Sequence, residues 1–509
     1  MKPPWILQIL YGGLQGAFVG SICCPVSSRQ KRLGQFFTPP EVAQTLVNWV
    51  APGPNDRLLD PACGDGTFLV CHRRSVGVEV DPQRAALARL RAPDAVVHLG
   101  DFFSWAEGTD ERFDVAAGNP PFIRYQQFAG EVRERALAAA ARMGAQFNGL
   151  SSSWAPFLVV AARLLRLGGA MAFVVPAEVG HATCAVPLVE CLCRHFELVR
   201  FVACREKLFP ELSEDAWLLY CAGFGGSTRF IGLSACDSFA PSPTPPLAHH
   251  QVSLASWREA SGRLRRFLLP KRYLDLYEEL MGRPGVCRLS EIARAGVGYV
   301  TGDNDFFHLR PSEARLWSLP DEVLRVAVRR AEQLPPRDVD ESAVRQWLAD
   351  DQRVLLLDLK DKGPPAATVR RYLSTPEAER ARRSYKCRNR EPWYAVPDVK
   401  APDAFMSYMS GRAPSLVANS ARCVCTNSVH AVVLKAGVSL PEVQAAWRHP
   451  LCQLSCELEG HPLGGGMLKL EPGEAARTRL PLRDLELTEE QSQKLDQAIQ
   501  FMRRWRHYD

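Results

Sequence analysis

A chain of 509 residues, 46% hydrophobic and 23% charged, has an ordinary globular composition and room for two or three domains. Its formal net charge of +6 permits a polyanionic partner without demanding one. Sixteen cysteines fall at irregular spacings, with no paired C-x-x-C knuckles, so the pattern speaks against a zinc site and for reduced thiols in a cytoplasmic protein.

In chain order, Ile6 to Val26 is largely apolar and follows Lys2, a layout shared with signal peptides and membrane anchors. Gln8, Gln15, four glycines and Pro25 interrupt it, and no convincing cleavage site follows. Residues 1–32 are therefore read as an N-terminal arm, docked or poorly ordered, or as the result of a start codon placed too early. No membrane insertion is expected. Next, Thr38 is a good helix N-cap, Pro39 suits the first helical position, and Glu41 lies three residues after the cap, which predicts a capping box and an amphipathic helix.

Arg57 to Leu69 reads as a buried strand ending in a glycine-bearing turn that leads into a helix, with Gly64 and Gly66 allowing close approach of a ligand. Asp60 and Asp65 are wrong for cradling phosphate, and no lysine follows, which disfavours a P-loop. Val76 to Asp81 is a second strand, with Glu79 near its end as an acceptor for ribose hydroxyls. Ala95 to Phe103 is a third, with Asp101 placed to accept from an adenine amino group and Phe102 to stack on its ring. Each piece is common alone; in this order they read a nucleoside with no phosphate binder.

Phe113 to Phe122 closes on Asn119-Pro-Pro-Phe122. Two prolines forbid both ladder hydrogen bonds and helix, so the chain must leave the sheet there. An asparagine amide, a carbonyl outside any ladder and an aromatic ring then meet at the strand end where open α/β sheets bind ligands. A plain strand-ending loop could carry the same tetrapeptide. After an alanine-rich helical region, a helix entered near Trp154 is expected to end at a Gly168-Gly169 cap, followed by strands over 170–176, 198–203 and 216–222. This alternation predicts an α/β, Rossmann-like, doubly wound sheet of seven mainly parallel strands ending near Phe224.

Pro241 to Pro246 and the His249-His250 pair suggest an exposed linker over 225–262. The remainder, 263–509, lacks regular alternation and is expected to be mixed α+β. Arg263, Arg265, Arg266, Lys271, Arg272 and Tyr273 form one basic, aromatic cluster; Arg380, Arg382, Arg383, Lys386, Arg388 and Arg390 form another, leading to Trp393-Tyr394. Such runs suit solvated faces and phosphate positioning about equally.

An exocyclic adenine amine is a poor nucleophile because its lone pair is delocalised. Two acceptors on its protons, the Asn119 side-chain oxygen and the Pro120 carbonyl, favour a pyramidal nitrogen, while Phe122 offers a stacking face. The ordered set Phe36-Thr-Pro-Pro, Asp60-Pro-Ala-Cys-Gly-Asp-Gly, Val78-Glu-Val-Asp81, Gly100-Asp-Phe-Phe103 and Asn119-Pro-Pro-Phe122 resembles the gamma-class N6-adenine DNA methyltransferases of TaqI type over residues 33–224. The second half is similar to their target-recognition region only in patches. The family often has Tyr where this chain has Phe122, and stacking needs only the ring.

The resemblance implies S-adenosylmethionine as methyl donor, with Thr38, Asp60, Ala62 and Gly64 near its methionine end, Glu79 on the ribose and Asp101 with Phe102 on its adenine. It implies double-stranded DNA as partner, a flipped target adenine, and Phe209 of Leu208-Phe209-Pro210 as a second aromatic against that base. About thirty residues precede the first motif, so no fused nuclease is expected and any restriction endonuclease would be a separate chain. Two further readings share the motif: methylation of RNA bases or of a protein glutamine, and a non-catalytic DNA-binding subunit of a defence complex.

Overall fold

The computed structural model describes residues 38–51, 53–123, 127–148, 152–210, 215–483 and 485–508. The N-terminal arm lies outside them. Short apolar runs in the first half become strands β1 (Leu58–Asp60), β2 (Ser75–Glu79), β3 (Val96–Leu99), β4 (Phe113–Gly118), β5 (Leu165–Pro176), β6 (Phe196–Cys204) and β7 (Ala216–Phe224). The central strands are apolar on both faces because helices cover both. Along β5, Met171, Phe173 and Val175 enter one core while Ala172 and Val174 enter the other.

All seven expected strands lie in one sheet, which continues beyond Phe224. Strands β8 (Phe230–Cys236) and β9 (His250–Ser253) extend its edge, giving nine strands in the order β3-β2-β1-β4-β5-β7-β6-β8-β9. Pairing is parallel from β3 through to β5 and between β6 and β8, and antiparallel where β7 inserts between β5 and β6. The expected linker is therefore partly sheet. Its proline-rich stretch is also tied down: Trp49 Nε1 donates to the Ser242 carbonyl at 3.2 Å, and Arg200 donates to the Pro246 carbonyl at 2.6 Å.

Two local expectations change. The first helix, α1 (Pro40–Val50), starts one residue later than a Thr38 cap would place it. Pro40 forces Pro39 out of the helical region, to ψ 135°, so Pro39 becomes the N-cap and the Thr38 hydroxyl is released for other work. Gly168-Gly169 lies inside β5, the preceding helix having ended at Arg163. The β4–β5 register shifts between Phe113 and Val115, Gly168 has φ +81°, and a Cβ on Gly169 would lie 2.8 Å from the Asp114 carbonyl. The pair lies in a bulge, where β5 carries extra residues opposite Asp114.

The second half is mixed α+β. One four-stranded sheet joins Ala293–Val297, Val429–Leu434, Ala404–Ser407 and Leu416–Ala418; another joins His308–Leu309, Leu355–Leu357, Leu324–Val328 and Val424–Cys425. A first-half core continues through Leu274, Tyr277, Leu454, Leu495 and Met502, so the halves share buried surface. No described helix is long and apolar enough to cross a membrane.

Candidate active site

The strand order reverses between β1 and β4, and a crevice must open where neighbouring chains leave in opposite directions. Asp60 ends β1, Glu79 ends β2, and Asn119 follows β4 directly. Beyond β3, Asp101 caps the helix α2 (Phe102–Gly108), accepting from the Ser104 N–H at 2.8 Å. These tips line one cavity of about 290 Å³.

Of the eleven residues singled out in the sequence, Thr38, Asp60, Ala62, Gly64, Glu79, Asp101, Phe102 and Asn119 line that cavity. Pro121 lines it as well, whereas Pro120 and Phe122 do not. Phe122 is half-buried against an apolar cluster that includes Phe209, itself only 2% exposed. The two aromatics thus share one cluster behind the corner instead of facing the cavity.

Asn119 Nδ2 donates to Thr38 Oγ1 at 3.1 Å, the hydroxyl that Pro40 freed from capping. Its Oδ1 meets no donor among the described residues. Gly118 is required before it, because a Cβ there would sit 2.7 Å from Asp60 Oδ1. Asp60 is 1% exposed; Oδ1 accepts from the Ala62 N–H at 3.1 Å, and Oδ2 has no partner. Burial pushes its carboxyl up to about 8, against the pull of the Ala62 N–H, and Glu79 and Asp65 add to the rise. Glu79 accepts from Gly64 N–H at 2.9 Å and Asp81 N–H at 2.7 Å; burial raises its carboxyl while those bonds pull the other way. Gly64 sits at φ +55° with nothing within 4 Å of a Cβ, so its backbone borders open space.

The far wall of the cavity comes from residues that carry no motif in the sequence. Phe157, on the helix Trp154–Arg163, stacks on Phe102 at 5.2 Å and 14°, and Ser153 and Phe128 also line the cavity. Ser153 is fully buried. Its hydroxyl donates to the Pro121 carbonyl and accepts from the Ile123 N–H at 3.0 Å, and its own N–H donates to the Ile123 carbonyl at 3.0 Å. It clamps the exit of the Asn-Pro-Pro-Phe corner. The signal was the serine run before Trp154, but nothing local says which turn a serine will brace. Ser153→Ala is expected to lower turnover roughly tenfold, the scale of a lost buried hydrogen bond, with donor affinity unchanged. Single-turnover kinetics beside donor titration would show this; equal loss of both would mean a packing role.

In the second half the two basic clusters separate. Arg263 and Arg265 are buried, so the first cluster is not a solvated face at those positions. Arg263 pairs with Glu474 at 2.7 Å, and Arg265 Nε donates to the Glu457 carbonyl at 3.1 Å. Arg380, Arg382 and Arg383 are exposed; Arg390 turns inward, donating to the Thr301 carbonyl at 2.6 Å. Among the described residues, no group of three or more His, Cys, Asp or Glu is placed to hold a metal.

Fold and site together define an α/β protein with a largely apolar cleft, edged by carboxylates, at the switch point of its sheet. Residues 26–183 match the N-6 DNA Methylase family, and residues 261–507 match the C-terminal domain of type II methyltransferase M.Eco57I. The type II methyltransferase M.TthHB8I of Thermus thermophilus is 32% identical over 167 residues, 30% of this chain and 37% of that protein. The type II methyltransferase M.XamI of Xanthomonas campestris pv. amaranthicola is 23% identical over 489 residues, 90% of this chain and 86% of that protein. Among solved structures, the type IIL restriction-modification enzyme MmeI in complex with DNA aligns with a TM-score of 0.48 at 12% identity, covering 92% of this chain and 72% of that one. The first half of the chain is thus similar to N-6 DNA methylases and the second to the C-terminal domain of a type II methyltransferase, and the relatives named are type II methyltransferases.

Proposed function

We propose that the chain is a gamma-class, TaqI-type enzyme that methylates the N6 amine of an adenine flipped out of double-stranded DNA, using S-adenosylmethionine. The observation that supports this best is the meeting of Asp60, Glu79, Asp101, Phe102 and Asn119 around one cavity. The residues present suit such a donor. Phe102 and Asp101 offer a ring face and an acceptor to its adenine, Glu79 faces its ribose, and the unpartnered Asp60 Oδ2 with the open backbone at Gly64 suits its cationic methionine end. When bound, the donor supplies a methyl group on a positively charged sulfur, so transfer needs no covalent enzyme intermediate.

The chain's own share is positioning. Thr38 turns the Asn119 amide so that Oδ1 faces away as an acceptor, and the Pro120 carbonyl has no hydrogen-bond partner among the described residues. Both can take protons of an adenine amine. Phe122 and Phe209, packed in one apolar cluster behind the corner, hold the corner in place and do not line the cavity. In this reading residues 33–224, with β8 and β9 added, carry methyl transfer, and 263–509 reads the DNA with the exposed arginines near 380 toward its backbone. A separate restriction endonuclease would be the natural counterpart. The decisive experiment incubates the pure protein with labelled donor and genomic DNA, RNA or protein, then hydrolyses the products; label in N6-methyladenine of DNA is expected. Label in RNA or glutamine instead would replace the reading.

Asp60 adds a pH dependence. With its carboxyl near 8, it is mostly protonated in the free protein at pH 7. A cationic partner favours the ionised form, so Asp60 must lose its proton as the donor binds. Its contribution to affinity therefore rises with pH, by at most about tenfold per unit, and levels off above 8. The donor's own amino group titrates in the same range, so the comparison is with Asp60→Asn, which should lose that slope. Parallel curves for the two proteins would refute the role.

A further inference from the structure

A second cavity, of about 60 Å³, lies in the second half, away from the methyl-transfer cleft. It opens between the segment Glu259–Arg266 and the strand pair Val286–Arg288 with Arg479–Pro481, and Arg263, Arg266, Arg288, Arg477 and Arg479 all line it. Three of these are neutralised: Arg263 by Glu474 at 2.7 Å, Arg266 by Glu278 at 2.8 Å, Arg477 by Glu459 at 2.8 Å. Arg288 and Arg479 have no ion-pair partner among the described residues, and Glu259 is the one further acid in the lining.

The register makes this pair unusual. Arg288 and Arg479 are direct cross-strand partners. Neither backbone N–H enters the ladder: Arg288 donates to Glu291 Oε1 at 3.1 Å and Arg479 to Ser455 Oγ at 2.8 Å. Theirs is thus the close, non-hydrogen-bonded kind of antiparallel pair, in which like charges directly opposite are destabilising. Two more donors point the same way. Arg263 is 4% exposed and its Nε has no partner; the buried Nε of Arg266 has none either. Buried guanidinium N–H groups without acceptors cost more than they return unless something fills the space.

We propose that this cavity binds one tetrahedral oxyanion, a phosphate group, bridging Arg288 and Arg479 and reaching the free Nε of Arg266. A phosphate offers the several acceptor oxygens that forked guanidinium groups require, and its charge relieves the cross-strand repulsion. The group can come from a DNA backbone, in which case the site rests on the reading above, or from free phosphate, in which case it does not.

The test uses the full chain, with Arg288→Gln, Arg479→Gln, and Arg345→Gln as an exposed control outside the cavity. Thermal unfolding is followed in inorganic phosphate and in chloride at matched ionic strength, and DNA binding is measured across a salt series. A phosphate-dependent rise in Tm, lost in the two cavity variants and kept in the control, supports the site. A salt slope of DNA affinity smaller by ~0.9 in the cavity variants alone assigns the site to a backbone phosphate. An unchanged slope beside a lost Tm response assigns it to free phosphate. If wild type shows no phosphate response and all slopes match, the proposal is overturned. Neither readout depends on methyl transfer, so its failure stays separate from failure of the enzymatic reading.

Discussion

Asn119→Ala is expected to cut methyl transfer roughly a hundred- to a thousandfold, while donor affinity stays within a few fold. Asn119 sits one residue past β4, at the edge of the cavity, and its one described side-chain bond is the 3.1 Å contact to Thr38. In the proposed reading, losing it removes an acceptor for the target amine but none of the groups assigned to the donor. Pre-organised hydrogen bonds at a reacting centre are worth about 2.7–4 kcal/mol each. Asn119→Asp is a sharper probe, because it keeps size and acceptor and changes only charge and the donor to Thr38. Donor titration and single-turnover rates measured on the same sample would decide. If donor affinity collapses together with the rate, Asn119 is holding the strand end and not the amine.

Glu457→Ala is expected to cost about 3–5 kcal/mol of stability, the range found when one partner of a buried ion pair is removed. Glu457 is 2% exposed on the helix Pro450–Glu459. It accepts from Arg506 Nε at 2.9 Å and Nη2 at 2.8 Å, and from Arg503 Nε at 3.4 Å. Both arginines are buried, Arg506 completely, and they follow or end the C-terminal helix Glu489–Arg504. Without the carboxylate, two guanidinium groups remain desolvated and face each other, with Arg265 close by. Glu457→Gln keeps the shape and part of the bonding, so its cost should be smaller. Denaturant midpoints for the three proteins test this order; equal midpoints would show that the pair contributes nothing net.

Much of the first half was legible because its signals are local. Strand β4 ends where Pro120 and Pro121 make a ladder impossible, and Asp60, Glu79 and Asp101 stand at strand tips whatever packs around them. The same local reasoning failed at Gly168-Gly169, where a helix cap and a strand bulge use the same residue type for the same positive φ. It failed again at Thr38, where the cap was displaced by the second of two prolines. Strand β9 is short, polar and at the sheet's edge, and the proline-rich stretch that joins it to β8 resembles linker whether or not it folds back, so both escape a local reading.

The basic clusters show a different limit. Arg263 and Arg380 look alike in a sequence. One is buried against Glu474, 211 residues away, and the other is exposed. Charge placement depends on partners that no window of neighbouring residues contains.

What the chain's order of residues determined alone is the sheet's alternation and the chemistry presented at its strand tips, since backbone sterics and proline act within a few residues. Tertiary structure alone decided which groups enclose that chemistry, Phe157 against Phe102 and Ser153 bracing the corner, and, away from it, that two arginines stand opposite each other across a strand pair. Those contacts join segments far apart in the chain, and only the packed fold brings them within bonding distance.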